Sequence, residues 1–398
     1  MTHVLVVNSG SSTLKYQLID PGTGEWAARG LVDRIGQPEA QAAHEVVGEN
    51  AVTVAQPVPD HAAAVALMLD RLRQGGADLA GLVAVGHRVV HGGAAFREPV
   101  VVDDEVEATI ERMVPLAPLH NPAGLMGIRI MRRLLPDVPQ VAVFDTAFHA
   151  TMPPAAYTYA IPVDLAEANG IRRYGFHGTS YQYVTRRAAR FLGVAEDEVN
   201  LIVAHLGNGA SITAIRGGRS VDTSMGMTPL EGLVMGTRSG DIDPGVIFHL
   251  VDAAGMSVAD VDRTLNKESG LAGLAGEQDM RAVRALADGG HAGARLALEV
   301  YAYRVRSYVG AYLAVIPDLH ALVFTAGIGE NDAALRADVC RPLAHLGLHL
   351  DDRRNEEPSH AARAVDDGSG PARILVIPTN EEAEIARQAE STVGSAPG

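Results

Sequence analysis

A single cysteine, Cys340, occurs in 398 residues, so no intrachain disulfide can form. A lone thiol fits a reducing compartment and the role of a small buried hydrophobe. Aromatic residues make up only 5% of the chain, which leaves Ala, Val, Leu and Ile to build the cores. Positive charge is in deficit: 33 Lys and Arg against 48 Asp and Glu give a formal net charge of −15. That balance disfavours a nucleic-acid binder and a protein of anionic membrane surfaces. No apolar run reaches the ~18 residues of a membrane helix. The first residues read as a strand, with neither a basic region nor a cleavage site. The expectation is a cytoplasmic protein with no nucleic-acid and no membrane partner. Several motifs are also missing. Without G-x-x-x-x-G-K-[ST] the chain is no P-loop NTPase, and without H-R-D-x-x-x-x-N it is no protein kinase. G-x-S-x-G, H-E-x-x-H and C-x-x-C are absent as well.

What is present begins with glycine, 42 residues of it, well above the usual ~7%. Three apolar runs each enter a glycine turn. Val4 to Val7 runs into Asn8-Ser9-Gly10-Ser11-Ser12, Leu201 to Ala204 into Leu206-Gly207-Asn208-Gly209, and Leu322 to Phe324 into Ala326-Gly327-Ile328-Gly329-Glu330-Asn331. More apolar and β-branched residues follow the first two turns, so each reads as strand-turn-strand. Two similar halves, each offering backbone N–H groups to phosphate at the lip of a sheet, would produce this pattern. The length suits two domains of roughly 150 to 200 residues.

The periodicity predicts strands near 4–7, 14–19, 83–86, 140–144, 201–204, 211–215, 322–325 and 374–377. Helices are expected at 61–74, 103–113, 122–134, 180–192 and 292–314, the last with an apolar face set against arginines. Thr179 or Ser180 would cap the fourth, and Gly193 would stop it. Residues 352–372 read as a surface excursion, followed by a last helix to about Ala389.

Several segments could carry chemistry. Asn8, Ser11, Ser12, Thr13 and Lys15 form a hydroxyl-rich turn with one cation, suited to phosphate oxygens and a Mg²⁺ shell, or else an ordinary hairpin turn. Arg88 is flanked by valines, an arrangement costly to bury unless an anion or backbone carbonyls receive the guanidinium. Asp145 ends a strand, where sheet proteins place ligand groups, although a helix N-cap is the plain alternative. His177 lies between glycines ahead of a helix, as a site residue or a satisfied core histidine. Arg238 is the only cation in the glycine- and acid-rich stretch 222–245, whose length marks a working loop. Glu381 and Glu382 open a helix, where the dipole favours acids, and one of them could also ligate Mg²⁺.

Taken together, these segments resemble the acetate kinases. The similarity spans about residues 3–390 and includes Val7–Ser12, His87–Gly93, Phe144–His149, Tyr174–Tyr181, His205–Ile212, Asp222–Pro244, Phe324–Asn331 and Ile377–Glu382, all in order. The resemblance implies an α/β fold of two duplicated actin-like (βββαβαβα) domains with a nucleotide cleft between them. It implies an N-terminal domain over 1–148 with helix 381–390 packed back on it. A C-terminal domain over 149–380 would carry the adenosine site and a homodimer interface, and 391–398 would be a disordered tail. The implied reaction is reversible, Mg²⁺- or Mn²⁺-dependent transfer of the ATP γ-phosphoryl group to acetate, giving acetyl phosphate and ADP.

By resemblance, Asn8, Arg88, Asp145, His177 and Arg238 are catalytic, and Asn8 and Glu381 serve the metal. Arg88, Val90, Leu119 and Pro229 form the acetate pocket. Ser11, Thr13 and Lys15, with His205, Leu206, Gly207, Asn208 and Gly209, meet nucleotide phosphates. Asp279, Met280, Arg281, Gly327, Ile328, Gly329 and Asn331 take the adenosine end. The family commonly has Phe where Met280 stands and Ser where Thr13 stands; the first leaves base preference open. A propionate or other short-chain acid kinase, and an actin- or chaperone-like nucleotide switch, are the alternatives. A sugar kinase would need an Asp base such as Asp145 facing a hydroxyl.

Overall fold

Val4 to Val7 are fully buried because their strand, β1 (His3–Ser9), lies mid-sheet with both faces covered. The computed structural model describes residues 3–79, 81–118 and 120–395. The first sheet also contains β2 (Thr13–Ile19), β3 (Trp26–Asp33), β4 (Gln41–Val46), β5 (Val52–Ala55), β6 (Leu82–Val89), β7 (Val100–Val101) and β8 (Gln140–Phe144). Its order is β5-β4-β3-β2-β1-β6-β8-β7. Neighbours from β1 to β5 are antiparallel, whereas β6 lies parallel to β1 and β8 parallel to β6. Alternation decides which layer each side chain joins. Leu5 and Val7 pack with Val65 and Met68 of helix His61–Gln74 and Met131 of helix Asn121–Leu134. Val4 and Val6 pack with Ile385, Ala386 and Ala389 of helix Glu381–Gly394.

The second sheet contains β9 (Leu201–Leu206), β10 (Ala210–Arg216), β11 (Arg219–Thr223), β12 (Ala321–Thr325), β13 (Arg363–Ala364) and β14 (Arg373–Val376). Its order is β11-β10-β9-β12-β14-β13. The strands β9 to β11 are antiparallel, β12 is parallel to β9, and β14 is parallel to β12. The two sheets therefore share one topology: β3-β2-β1-β6-β8 in the first matches β11-β10-β9-β12-β14 in the second. This is the expected pair of duplicated actin-like halves. The chain divides into one unit up to Phe148 plus the residues from Asn380 onward, and a second unit, His149–Thr379.

The first two glycine turns link antiparallel strands, as their flanks implied. In the first, the Gly10 N–H donates to the Thr13 carbonyl at 2.8 Å. A Cβ at residue 10 would lie 2.5 Å from Thr13 Oγ1, so a larger residue there would force the Thr13 side chain to move. The third turn differs: Ala326–Asn331 is a short helix, entered through Ala326 at φ 64°.

Other expectations need correction. Strands β3, β4, β5, β7 and β11 left no clear signal, because half-exposed strands mix polar and apolar residues and depend on partners for their hydrogen bonds. Helix Gly178–Leu192 starts before Thr179, with His177 at the N-cap position. Helix Ala292–Val315 does not confine its apolar residues to a buried face, since Leu296 and Tyr303 are 51% and 56% exposed. The stretch 352–372 is no simple excursion. It contains helix Asp352–Glu356 and β13, and Asp366 is buried against Arg373 and the Ile374 N–H. The last helix continues past Ala389 to Gly394, which overturns a disordered tail for 391–394. Residues 396–398 of that tail lie outside the described residues.

Candidate active site

In the first unit, sheet register builds the charge cluster. Arg88 pairs with Val143 across β6 and β8, so Asp145, one residue beyond β8, reaches the Arg88 side chain. Arg88 donates from Nε to Asp145 Oδ1 at 3.0 Å and from Nη2 to Oδ2 at 2.7 Å. Asp145 is 1% exposed, so the desolvated carboxylate is matched by a two-point guanidinium. Its charge raises the pKa of Arg88 against the opposing effect of burial. Glu381, at the start of its helix, lies 3.8 Å from Arg88 Nε. Burial pushes the Glu381 carboxyl up; Arg88 pulls it down, and Asp145 and Glu382 push it up again. Lys15 is paired with Glu382.

Three carboxylates therefore face two cations here, an excess of negative charge that a divalent ion would relieve. All donors are hard oxygens, as Mg²⁺ requires. No cluster of three or more His, Cys, Asp or Glu residues with metal-holding geometry occurs among the described residues.

Beside this cluster, Asn8, Gly10, Thr13, Lys15, Arg88 and Val90 line a cavity of about 300 Å³. Leu31 and His120 line it too. His120 had a readable signal, since it immediately precedes the Asn121-Pro122 helix start. Leu119 lies outside the described residues. Ser11 is exposed at the tip of its turn.

The second unit gathers the other candidates around Gly209. The closest atoms to a Cβ built at that glycine are His177 Nε2 at 3.6 Å and Arg238 Nη1 at 3.7 Å. Arg238 is partly buried, which lowers its pKa. Its Nη1 donates to the Pro229 carbonyl at 3.2 Å, and no carboxylate among the described residues pairs with it. A desolvated guanidinium without a counter-ion is a receptor for an anion.

The loop that carries Arg238 is firmly anchored. Arg173 donates to the Thr223 and Ser224 carbonyls at 2.8 and 3.0 Å and to Glu231 Oε1 at 2.6 Å. Asp241 accepts from the Gly232 N–H at 2.8 Å and from the Tyr308 hydroxyl at 2.6 Å. Arg173 carries no local signal in the sequence, because its partners lie some fifty residues away in the chain.

A larger cavity of about 810 Å³ in the same unit is lined by Gly207, Asn208, Asp279, Met280, Arg281, Gly327, Ile328 and Asn331. Gln278, Arg284 and Asp332 also line it, without a motif that marks them in the sequence. Arg281 bonds the Asp279 carboxylate and holds its pKa down at about 2. No Cβ contact exists over Gly327, so the wall is open there. Met280 is 5% exposed and forms part of the floor. Leu206 is buried in β9 and Gly329 in its short helix; neither lines the cavity. His205 is 6% exposed, with Nδ1 2.8 Å from the Ser180 hydroxyl.

By fold and site, then, this is an α/β protein of duplicated actin-like halves with a cationic, hydroxyl-lined pocket in one half and a nucleotide-sized cavity in the other. The family model described as the acetokinase family matches residues 3–387, and the chain belongs to that family. It is 55% identical to the acetate kinase of Leifsonia xyli subsp. xyli over 99% of this chain and 100% of that one. Against the acetate kinase of Streptomyces avermitilis the identity is 53%, covering 99% and 98%. Among solved structures, Porphyromonas gingivalis acetate kinase superimposes with a TM-score of 0.94 at 41% identity, covering 99% of this chain and 100% of that one. A propionate kinase from Francisella tularensis subsp. tularensis gives 0.93 at 42% identity, covering 98% and 100%.

Proposed function

We propose that this protein is an acetate kinase that transfers the ATP γ-phosphoryl group reversibly to acetate by direct in-line displacement. The observation that carries the reading is Arg238, a partly buried guanidinium with no carboxylate partner among the described residues, beside His177 at Gly209. The full-length likeness to acetate kinases supports it. Acetate resembles a side-chain carboxyl, with a pKa of ~4 to 5, so at neutral pH it is already the nucleophile and needs no general base. The obstacle is repulsion between two anions, and positioning with electrostatic neutralisation is the way such transfers are catalysed.

In this reading Arg88 and Val90 hold the acid, a role the resemblance also gives to Leu119 and Pro229. Asn8 contacts the reacting groups, and His177 and Arg238 take the charge of the transferring phosphoryl group. Ser11, Thr13, Lys15, His205 and Gly207–Gly209 meet the phosphates, and the larger cavity takes the nucleoside. Glu381 and Asn8 would hold Mg²⁺, with Asp145 fixing Arg88 beside them. The ion, when bound, would neutralise phosphate charge. Mixing ATP, Mg²⁺ and a panel of two- to four-carbon acids, with hydroxylamine to trap acyl phosphate, tests the reading. Acetate should give the highest kcat/KM. The propionate kinase neighbour supports the second reading, and a panel led by propionate would establish it. Hydrolysis of ATP indifferent to every carboxylate would point instead to a nucleotide switch.

We also infer a homodimer through the second unit. Helix Gly245–Asp252 buries none of its residues, and Val246, Ile247 and Phe248 are 40%, 36% and 66% exposed. An apolar face of this kind suits a second copy of the chain. Light scattering should give twice the chain mass, and Phe248→Glu should reduce it. A cytoplasmic location fits the one buried free thiol, Cys340. No helix among the described residues is long and apolar enough to cross a membrane.

A further inference from the structure

His177 has φ 60°, a left-handed conformation that its Cβ disfavours. A residue held this way needs surroundings that over-determine it, and the structure supplies them at both backbone and ring. The carbonyl of Phe176, the preceding residue, lies 2.9 Å from His149 Nε2. A carbonyl only accepts, so Nε2 carries the hydrogen. The other ring nitrogen, Nδ1, lies 2.9 Å from Ser220 Oγ. His149 is 0% exposed, and the edge of its ring meets Tyr181 at 5.5 Å and 73°.

The ring of His177 is held from its other side. Its Nδ1 lies 2.8 Å from Ser211 Oγ, and that oxygen lies 2.5 Å from the Tyr181 hydroxyl. Ser211 and Tyr181 are both 0% exposed. The ring also stacks on His205, with centroids 4.2 Å apart and planes 18° apart. The remaining nitrogen, Nε2, faces Gly209 on the side that Arg238 Nη1 also approaches.

The geometry points to Ser211 and Tyr181 as positioning residues for His177, a buried hydroxyl chain that sets its ring orientation and tautomer. This rests on the reading of His177 as a donor to the transferring phosphoryl group. A neutral imidazole has one N–H. For Nε2 to donate to a phosphoryl oxygen, Nδ1 must accept. Ser211 meets that need by giving its hydrogen to His177 and receiving one from Tyr181. Burial pushes the Tyr181 phenol up, so it keeps the proton it donates. No bond to phosphorus involves Ser211 or Tyr181; they act through His177.

The test uses the full chain with Tyr181→Phe and Ser211→Ala, each alone and combined with His177→Ala. The single variants should lose about 10- to 100-fold in kcat, with KM for ATP and acetate within about two-fold of wild type. In the His177→Ala background they should add no further loss. Full kcat in both single variants would overturn the inference, and so would losses that multiply with that of His177→Ala. Nitrogen-15 spectra of labelled histidine provide a readout independent of turnover. Wild type should show His177 with Nδ1 bare and Nε2 protonated, and Ser211→Ala should shift the Nδ1 resonance. A protonated Nδ1 in the neutral wild-type ring would sink the proposal even if Tyr181→Phe failed to fold. A wild type inert toward every carboxylate but with these spectra would retain the positioning chain and reject the kinase reading.

Discussion

Arg88 and Asp145 meet through two N–H···O bonds of 3.0 and 2.7 Å, although 57 residues separate them in the chain. The pair has a dual consequence: Asp145 fixes the fork of the guanidinium, and Arg88 is the counter-charge that lets a carboxylate stay buried.

Arg88→Ala should therefore damage both activity and stability. Turnover with acetate should fall by roughly 10³-fold or more, by analogy with transition-state arginines. Leaving Asp145 unpaired should cost about 3–5 kcal/mol in denaturant titrations. Arg88→Lys should not rescue, because a lysine cannot reproduce the fork. Wild-type turnover in Arg88→Ala would remove the residue from the site.

Arg238→Ala should separate the two effects. Its loss of turnover should match that of Arg88→Ala. Its melting temperature should stay level or rise, because the native side chain is partly desolvated and its hydrogen bonds among the described residues go to the Pro229 carbonyl and the Met235 sulfur. A clear fall in melting temperature without loss of kcat would assign Arg238 a structural role instead.

Glu381→Gln should raise the Mg²⁺ concentration needed for half-maximal activity and also raise the stability of the metal-free protein at neutral pH. The sign follows from its raised folded-state pKa. A carboxyl that holds its proton more tightly when folded contributes most in acid, below its ordinary value of 4.5, and that contribution fades as pH rises. The stabilisation by Gln should therefore appear near pH 7 and vanish by about pH 4, as read from melting curves in chelator. A variant less stable than wild type at pH 7 would contradict the assignment.

His87 should be an acid-sensitive point. It is 2% exposed and bonded to Gln140 at 2.8 Å, and burial lowers its pKa to about 4. A folded-state value below the unfolded value of 6.5 means the stability is present above 6.5 and lost as pH falls toward 4. The loss across that window should be on the order of 3 kcal/mol. Denaturant midpoints against pH should show it, and His87→Gln should flatten the curve.

How much of this was legible in the chain depended on local regularity. Helix His61–Gln74 could be read because Asp60 caps it and its apolar residues recur on one face. The first glycine turn was legible because an apolar run enters Asn8-Ser9-Gly10-Ser11-Ser12 and another follows it. Strands β3 to β5 were not, since a half-exposed strand takes its hydrogen bonds from a neighbour that is invisible in its own residues. Likewise, Arg238 stood out as the lone cation of its loop, but Arg173, which ties that loop down, had no local mark.

The sequence by itself determined the duplicated strand-turn-strand pattern, the helix starts and stops, and the inventory of cations, hydroxyls and carboxylates. Those properties live in short-range periodicity, turn chemistry and composition. Only the tertiary structure decided that Asp145 belongs to Arg88, that Glu381 stands beside them, and that His177 leans on Ser211 and Tyr181. Such pairings are fixed by strand register and layer packing, and a bond between residues tens of positions apart leaves no trace in the spacing of either.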